Sequence, residues 1–285
     1  MLVTVKKLLK KAEKGGYAVG AFNTPNLEIT KAIIQAAEDL KSPVVISTSE
    51  GEINYAGLEF ISKIVRIAAN ETKMPVALHL DHGTSLKMAL MCIQAGYTSV
   101  HIDGSVLPYD ENVALTLSVA EVAHKEGVSV EGELGHIEEH SELHKGKIKD
   151  LKIKKTDPEQ AKKFVKETGI DSLAVCIGNA HGLYEDEPKL DFDLLSKIKD
   201  NVKIPLVLHG GSGIPGKDIK KAIKLGVRKI NVNTELRVSF IGSLKSALDE
   251  NPDEVVPYKI FPHALQSVER TVEEKIRLFG SRGKV

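Results

Sequence analysis

Three histidines stand where an apolar run gives way to polar residues: His82 after LHLD, His181 after GNA and His209 after LVL. Three imidazoles with an open fourth position form a catalytic zinc arrangement, because that position accepts water or a substrate oxygen. Carboxylates end similar runs at Asp81, Asp103 and Glu133. If these runs are strands, alternation puts Asp81 on the face of His79, Asp103 on that of His101 and Glu133 on that of Glu131. In His79-Leu80-Asp81, Leu80 then points outward and the polar pair inward. An inward carboxylate is costly without a cation or hydrogen-bond donors, so several converging on one place predict a bound metal. Asn23, Ser49, Asn231 and Asn233 end further runs. The segments Gly210-Gly211-Ser212-Gly213 and Asn231-Val232-Asn233-Thr234 suit a phosphate, since glycine lets backbone N–H groups approach an anion and the hydroxyls add donors.

As linear motifs these spacings mean little; a scaffold must bring them together. Runs rich in Val, Ile and Leu occupy Tyr17–Asn23, Pro43–Ser49, Pro75–Asp81, Ser99–Ser105, Ser129–Gly135, Ser172–Gly178, Pro205–His209 and Lys229–Thr234. Between several of them lie stretches of helical period, such as Leu27–Leu40, where Ile29, Ile33, Ala36, Ala37 and Leu40 form one stripe. Strand–helix alternation implies a parallel sheet, and eight units with no linker imply a single α/β domain over 1–285, a (β/α)₈ TIM barrel. The alternative, an open doubly wound sheet, would be favoured by a G-x-G-x-x-G turn after the first strand, where the chain reads AFNTPN. In a barrel all the polar residues named above fall at the C-terminal ends of strands, where reactive groups gather.

Composition excludes other classes. The 285 residues carry 39 Lys+Arg against 39 Asp+Glu, which argues against bulk capture of nucleic acid. Phe22, Tyr97 and Phe240 are scattered and make no base-stacking platform. No run approaches the ~18 apolar residues of a membrane span, and MLVTVKKLLKK lacks the apolar region of a signal peptide. Cys92 and Cys176, the two cysteines, lie in apolar surroundings and read as inert core thiols of a cytoplasmic protein.

The segments LHLDHG (78–83), SVHIDGS (99–105), EGELG (131–135), GNAHGLY (178–184), LVLHGGSGIP (206–215) and KINVNTE (229–235) resemble the class II aldolases, more narrowly the bacterial fructose-bisphosphate and tagatose-bisphosphate aldolases. The likeness runs from AFN (21–23) to LFGS (278–281). It implies that Asp81 is the catalytic aspartate, handling the proton on the hydroxyl beside the cleaved bond. It further implies that His82, His181 and His209 hold Zn2+, and that Asp103 and Glu133 serve a second or displaced metal position. Gly182, Gly210, Gly211, Ser212, Asn231, Val232, Asn233 and Thr234 would hold dihydroxyacetone phosphate, with Asn23 and Ser49 as further substrate contacts. Backbone around Gly182 and Gly210 resembles a site for Na+ or K+, and the family forms homodimers or homotetramers.

The stretch after the fifth strand departs from the family. A glycine-rich segment there ordinarily carries a glutamate that moves protons at the ketone-derived carbon, and by count from Gly135 this position falls on Ser141. Glu139 or Glu142 serves after a small shift, and Glu142 is the reading adopted. The same stretch spells H-x-x-E-H with His136, Glu139 and His140, an inverzincin pattern; with His144 the histidines would share one face if the segment were helical. The usual context is a long helix, so a solvated loop or lid is preferred to a protease.

The expected function is zinc-dependent, reversible cleavage of fructose 1,6-bisphosphate to dihydroxyacetone phosphate and glyceraldehyde 3-phosphate. Tagatose 1,6-bisphosphate is the alternative ketose, and a catalytically silent sugar-phosphate binder the alternative role. A Schiff-base aldolase would need an inward lysine at a strand end, and none of the eight ends offers one.

Overall fold

The computed structural model describes residues 1–137, 142–144, 146–148 and 151–285. Its strands are β1 (Val19–Asn23), β2 (Val44–Ser49), β3 (Val76–Gly83), β4 (Ser99–Ile102), β5 (Ser129–Leu134), β6 (His136–Ile137), β7 (Ile153–Lys154), β8 (Ser172–Val175), β9 (Leu206–Leu208) and β10 (Val227–Val232). All but β6 and β7 pair in parallel and close into a barrel in the order β1-β10-β9-β8-β5-β4-β3-β2. Each of the eight predicted strands is present, with ends shifted by a few residues. The antiparallel pair β6–β7 was not anticipated.

Around the barrel run α1 (Val5–Gly15), α2 (Leu27–Asp39), α3 (Glu50–Ala56), α4 (Leu58–Glu71), α5 (Leu86–Gln94), α6 (Tyr109–Lys125), α7 (Pro158–Thr168), α8 (Phe192–Asn201), α9 (Gly216–Lys224), α10 (Thr234–Glu250) and α11 (Pro257–Phe279). Several start where a short polar side chain accepts an otherwise unpaired N–H: Asn26 caps α2, Ser49 caps α3 and Ser85 caps α5. The predicted stripe on α2 is buried against the sheet. None of the helices among the described residues is long and apolar enough to cross a membrane.

The interior is divided. At the N-terminal end of the strands, inward Val19, Ala21, Val45 and Ala77 pack with Val5, Leu8, Leu9 and Ala12 of α1, which closes the barrel below. Towards the C-terminal end the inward positions are polar and buried: Ser47, His79, His101, Glu131, Glu133, Lys229 and Asn231. Barrel interiors are ordinarily filled by branched apolar side chains, so this upper half is built for something other than packing. Truncating the plug should unfold the protein before it alters the site. Leu9→Ala, at a fully buried position, is expected to cost about 2–5 kcal/mol in urea denaturation.

One irregularity shapes the mouth. Strand β3 pairs with β4 as Leu80↔Val100 and then Gly83↔Ile102, so β3 carries one extra residue. Within that bulge His82 has φ 51, in the left-handed region, and its N–H donates to His101 Nδ1 at 3.1 Å instead of to the ladder. Regular alternation would send His82 outward behind Asp81; the bulge turns both towards the axis.

Candidate active site

A narrow cleft opens at the C-terminal end of the barrel. Its lining is Asn23, Asp81, His82, His181, Gly182, His209, Gly210, Ser212, Asn231, Asn233 and Thr234, each a residue singled out from the sequence. Asp103 and Glu133 stand behind His82, Gly211 and Val232 support the wall from the chain just beside it, and Ser49 lies one element away.

The nitrogens of two histidines meet at its base. His82 Nδ1 lies 2.7 Å from Asp103 Oδ2, and His209 Nε2 lies 2.8 Å from Glu131 Oε1. A carboxylate only accepts, so each of these nitrogens carries its proton and the other is left to face inward. The inward nitrogens, His82 Nε2 and His209 Nδ1, are 2.9 Å apart. Two imidazole lone pairs hold that distance only with a positive charge between them. Asp81 and His101 complete a group whose ligand atoms all lie within 4.8 Å of one another. The ring of His181 stands edge-on to His82 with centroids 5.0 Å apart, beside that group but not one of its members. His101 was not anticipated there. Its Nδ1 accepts the His82 N–H and its Nε2 lies 3.3 Å from Glu133 Oε2, so it braces the site. In a second group, His82, Asp103 and Glu133, the ligand atoms also lie within 4.8 Å of one another.

The electrostatics agree. Burial alone would lower the His82 pKa, but Asp81, Asp103 and Glu133 push it up to about 10. Burial and then the charge of His82 hold His209 well below the ordinary range. One proton therefore sits between the two rings, in the place a divalent cation would take. Zinc requires neutral imidazole, so binding must release that proton. We expect about one proton released per zinc at pH 7, with affinity rising towards pH 10; calorimetry in two buffers of different ionisation enthalpy measures it, and no release would contradict the geometry.

Asp81 is fixed from both sides. Its Oδ1 accepts from Asn231 Nδ2 and its Oδ2 from Asn23 Nδ2, both at 2.9 Å. Burial would raise its pKa, but the charges of His82 and His209 hold it far below the carboxylate range, so it is an ionised acceptor. The Oδ1 atoms of Asn23 and Asn231 are buried with no protein partner, as suits amides that meet a hydroxylated ligand.

Glu52 was missed. Buried in the first turn of α3, it accepts from Asn23 Nδ2 at 3.1 Å, Ser49 N–H at 2.8 Å and Arg237 Nη2 at 3.0 Å, and Asn233 Nδ2 lies at 3.5 Å. The legible signal was Ser49-x-x-Glu52, a capping box whose two reciprocal bonds are both present. Ser49 Oγ is engaged with Glu52 N–H at 3.3 Å, so Ser49 shapes the rim chiefly through Glu52.

The two expected phosphate segments meet. Gly211 N–H donates to Asn231 O at 2.8 Å, and Glu235 N–H to Ser212 Oγ at 3.3 Å. Ser212 and Thr234 thereby flank the N-terminus of α10, whose dipole favours an anion.

Among the described residues of the stretch after β5, Glu142 is exposed, and its carbonyl accepts the Leu183 N–H while His144 N–H donates to Leu183 O, both at 2.9 Å. Glu142 shares a groove with Thr234 and Arg237, next to the cleft. Glu139, His140 and Ser141 lie outside the described residues. His136 is in β6, paired with Lys154, so no helical face begins there. Lys229 does point into the barrel, though deeper than the strand ends, where it pairs with Glu131. Burial pushes the thiols of Cys92 and Cys176 up to about 12 and about 11, in keeping with inert core cysteines.

Comparisons with known proteins converge on one class. The profile described as fructose-bisphosphate aldolase class-II matches residues 3–284. The chain is 45% identical over 288 residues to the fructose-bisphosphate aldolase of Geobacillus stearothermophilus, covering 99% of this chain and 98% of that one. It is 45% identical over 285 residues to a protein of Bacillus subtilis (strain 168) named "Probable fructose-bisphosphate aldolase", covering 98% of each. Among solved structures, the YdjI aldolase from Escherichia coli K12 superposes with a TM-score of 0.87 at 38% identity, covering 100% of this chain and 99% of that one. The chain belongs to the class II fructose-bisphosphate aldolase family. It is an aldolase, a carbon–carbon lyase of a family that acts on phosphorylated sugars.

Proposed function

We propose that the protein uses zinc to cleave fructose 1,6-bisphosphate reversibly into dihydroxyacetone phosphate and glyceraldehyde 3-phosphate, with tagatose 1,6-bisphosphate as the alternative ketose. The observation that carries the zinc reading is the pair of facing nitrogens on His82 and His209, each imidazole tied at its far nitrogen to a carboxylate. The ketose follows from the names of the two relatives at 45% identity. Bound among His82, His181 and His209, zinc would supply Lewis-acid stabilisation of the negative charge left on the three-carbon fragment. Asp103 and Glu133 would offer the ion a second position.

The remaining roles fall to the chain. Asp81 takes the proton from the hydroxyl beside the breaking bond; its two amide donors aim the carboxylate and keep it ionised. Gly182, Gly210, Gly211, Ser212 and Asn231–Thr234 hold the phosphate of the three-carbon half. Asn23 and Ser49, gathered by Glu52, contact the other half. Glu142 delivers the second proton, supported by its place in the groove next to Thr234. A Na+ or K+ ion between the Gly182 and Gly210 loops, a cytoplasmic location and assembly into dimers or tetramers complete the reading.

The test is cleavage of both bisphosphates by purified protein before chelation, after EDTA and after added zinc. Activity lost to EDTA and restored by zinc is expected, and the ratio of the two rates names the ketose. Full activity after exhaustive chelation would overturn the zinc reading, and inertness towards both sugars the substrate reading.

A further inference from the structure

Below His209, towards the barrel axis, lies a charge pair that the steps above leave unused. Glu131 and Lys229 are wholly buried, with Nζ 3.0 Å from Oε2 and 3.1 Å from Oε1. Lys229 Nζ also lies 3.3 Å from His79 Nε2, and His79 Nδ1 lies 2.8 Å from Ser99 Oγ. Ser172 Oγ approaches Glu131 Oε2 at 3.4 Å. Such a pair gives a fold little that apolar side chains of the same volume would not give, because desolvation offsets the attraction. What sets this one apart is Glu131 Oε1, which accepts the His209 Nε2–H at 2.8 Å.

We propose that Glu131, anchored by Lys229, is a positioning residue that fixes the tautomer and ring orientation of His209. The proton held at Nε2 leaves Nδ1 with its lone pair directed at His82, and the inference rests on the zinc reading above. Lys229 keeps the carboxylate from turning: two of its three donors take Glu131 and the third faces His79. Without an acceptor at Nε2, the His209 ring can carry its proton on Nδ1 or rotate, and either blocks the facing pair. Outer partners of this kind change metal affinity 10–100-fold when removed.

The test compares zinc affinity, by competition with a chromogenic chelator, in wild type and two double variants. E131Q/K229M and E131L/K229M each remove both charges together, so neither strands a buried ion. The Gln variant keeps an oxygen for Nε2–H and should bind zinc within a few-fold of wild type, whereas the Leu variant should bind about 10–100-fold more weakly. Equal affinity in a folded Leu variant overturns the proposal. Should that variant not fold, ¹⁵N spectra of histidine-labelled, zinc-free wild type decide, with the His209 signals assigned by loss in His209→Asn. An Nε2–H tautomer upholds the proposal and an Nδ1–H tautomer overturns it. Wild type that binds no zinc overturns the metal reading itself, a result distinct from both.

Discussion

Asp81→Asn should lower kcat for cleavage by about 10²–10⁴-fold, the usual contribution of a positioned general base. The substitution keeps the volume and removes the charge and the basic site. Both Asp81 oxygens now accept amide protons, from Asn231 and Asn23. In the variant one of those contacts becomes donor against donor, a penalty of about 1–3 kcal/mol for an unsatisfied buried group. The informative set is therefore kcat, zinc content and melting temperature measured together. A folded, zinc-loaded variant that kept a tenth of the wild-type kcat would remove Asp81 from the chemistry.

Gly210→Ala should lower kcat/KM by about 10²-fold, comparable with other small misplacements of catalytic groups. Gly210 has φ 62, and a Cβ there would lie 2.6 Å from the Ala180 carbonyl carbon and closer still to its oxygen. Neither neighbour is a flexible side-chain end, so the loops after β8 and β9 must part. They are also joined by Asn179 Nδ2, which donates to His209 O at 3.0 Å. One methyl thus disturbs His181, His209 and the phosphate segment together. Steady-state kinetics on the ketose gives the value, and a loss under threefold would show that the loops yield freely.

The barrel was legible because its strands announce themselves twice, as β-branched runs and as runs ending in polar residues. The cleft lining was legible for the second reason: Asp81 and Asn231 stand near the ends of β3 and β10 and His209 directly follows β9, whereas His181 lies further along the loop after β8. What could not be read were partnerships between elements distant in the chain. Nothing local shows that Glu131 reaches Lys229 across the barrel, or that Glu52 gathers Asn23, Asn233 and Arg237. His101 was visible on the Asp103 face, yet its role turns on the His82 N–H, which only the bulge makes available. The β6–β7 pair escaped because each strand has two residues, too short for any periodicity.

That bulge has a consequence for how the site tolerates motion. Because β3 turns two consecutive residues to the axis, the carboxylate of Asp81 and the imidazole of His82 are spaced by a single peptide unit. Covalent geometry keeps that interval constant however the barrel breathes. His181 and His209 lie in the loops after β8 and β9, so their distances from His82 are set by how those loops sit against β3. The mouth thus combines one interval fixed by the chain with two set by the packing of separate loops.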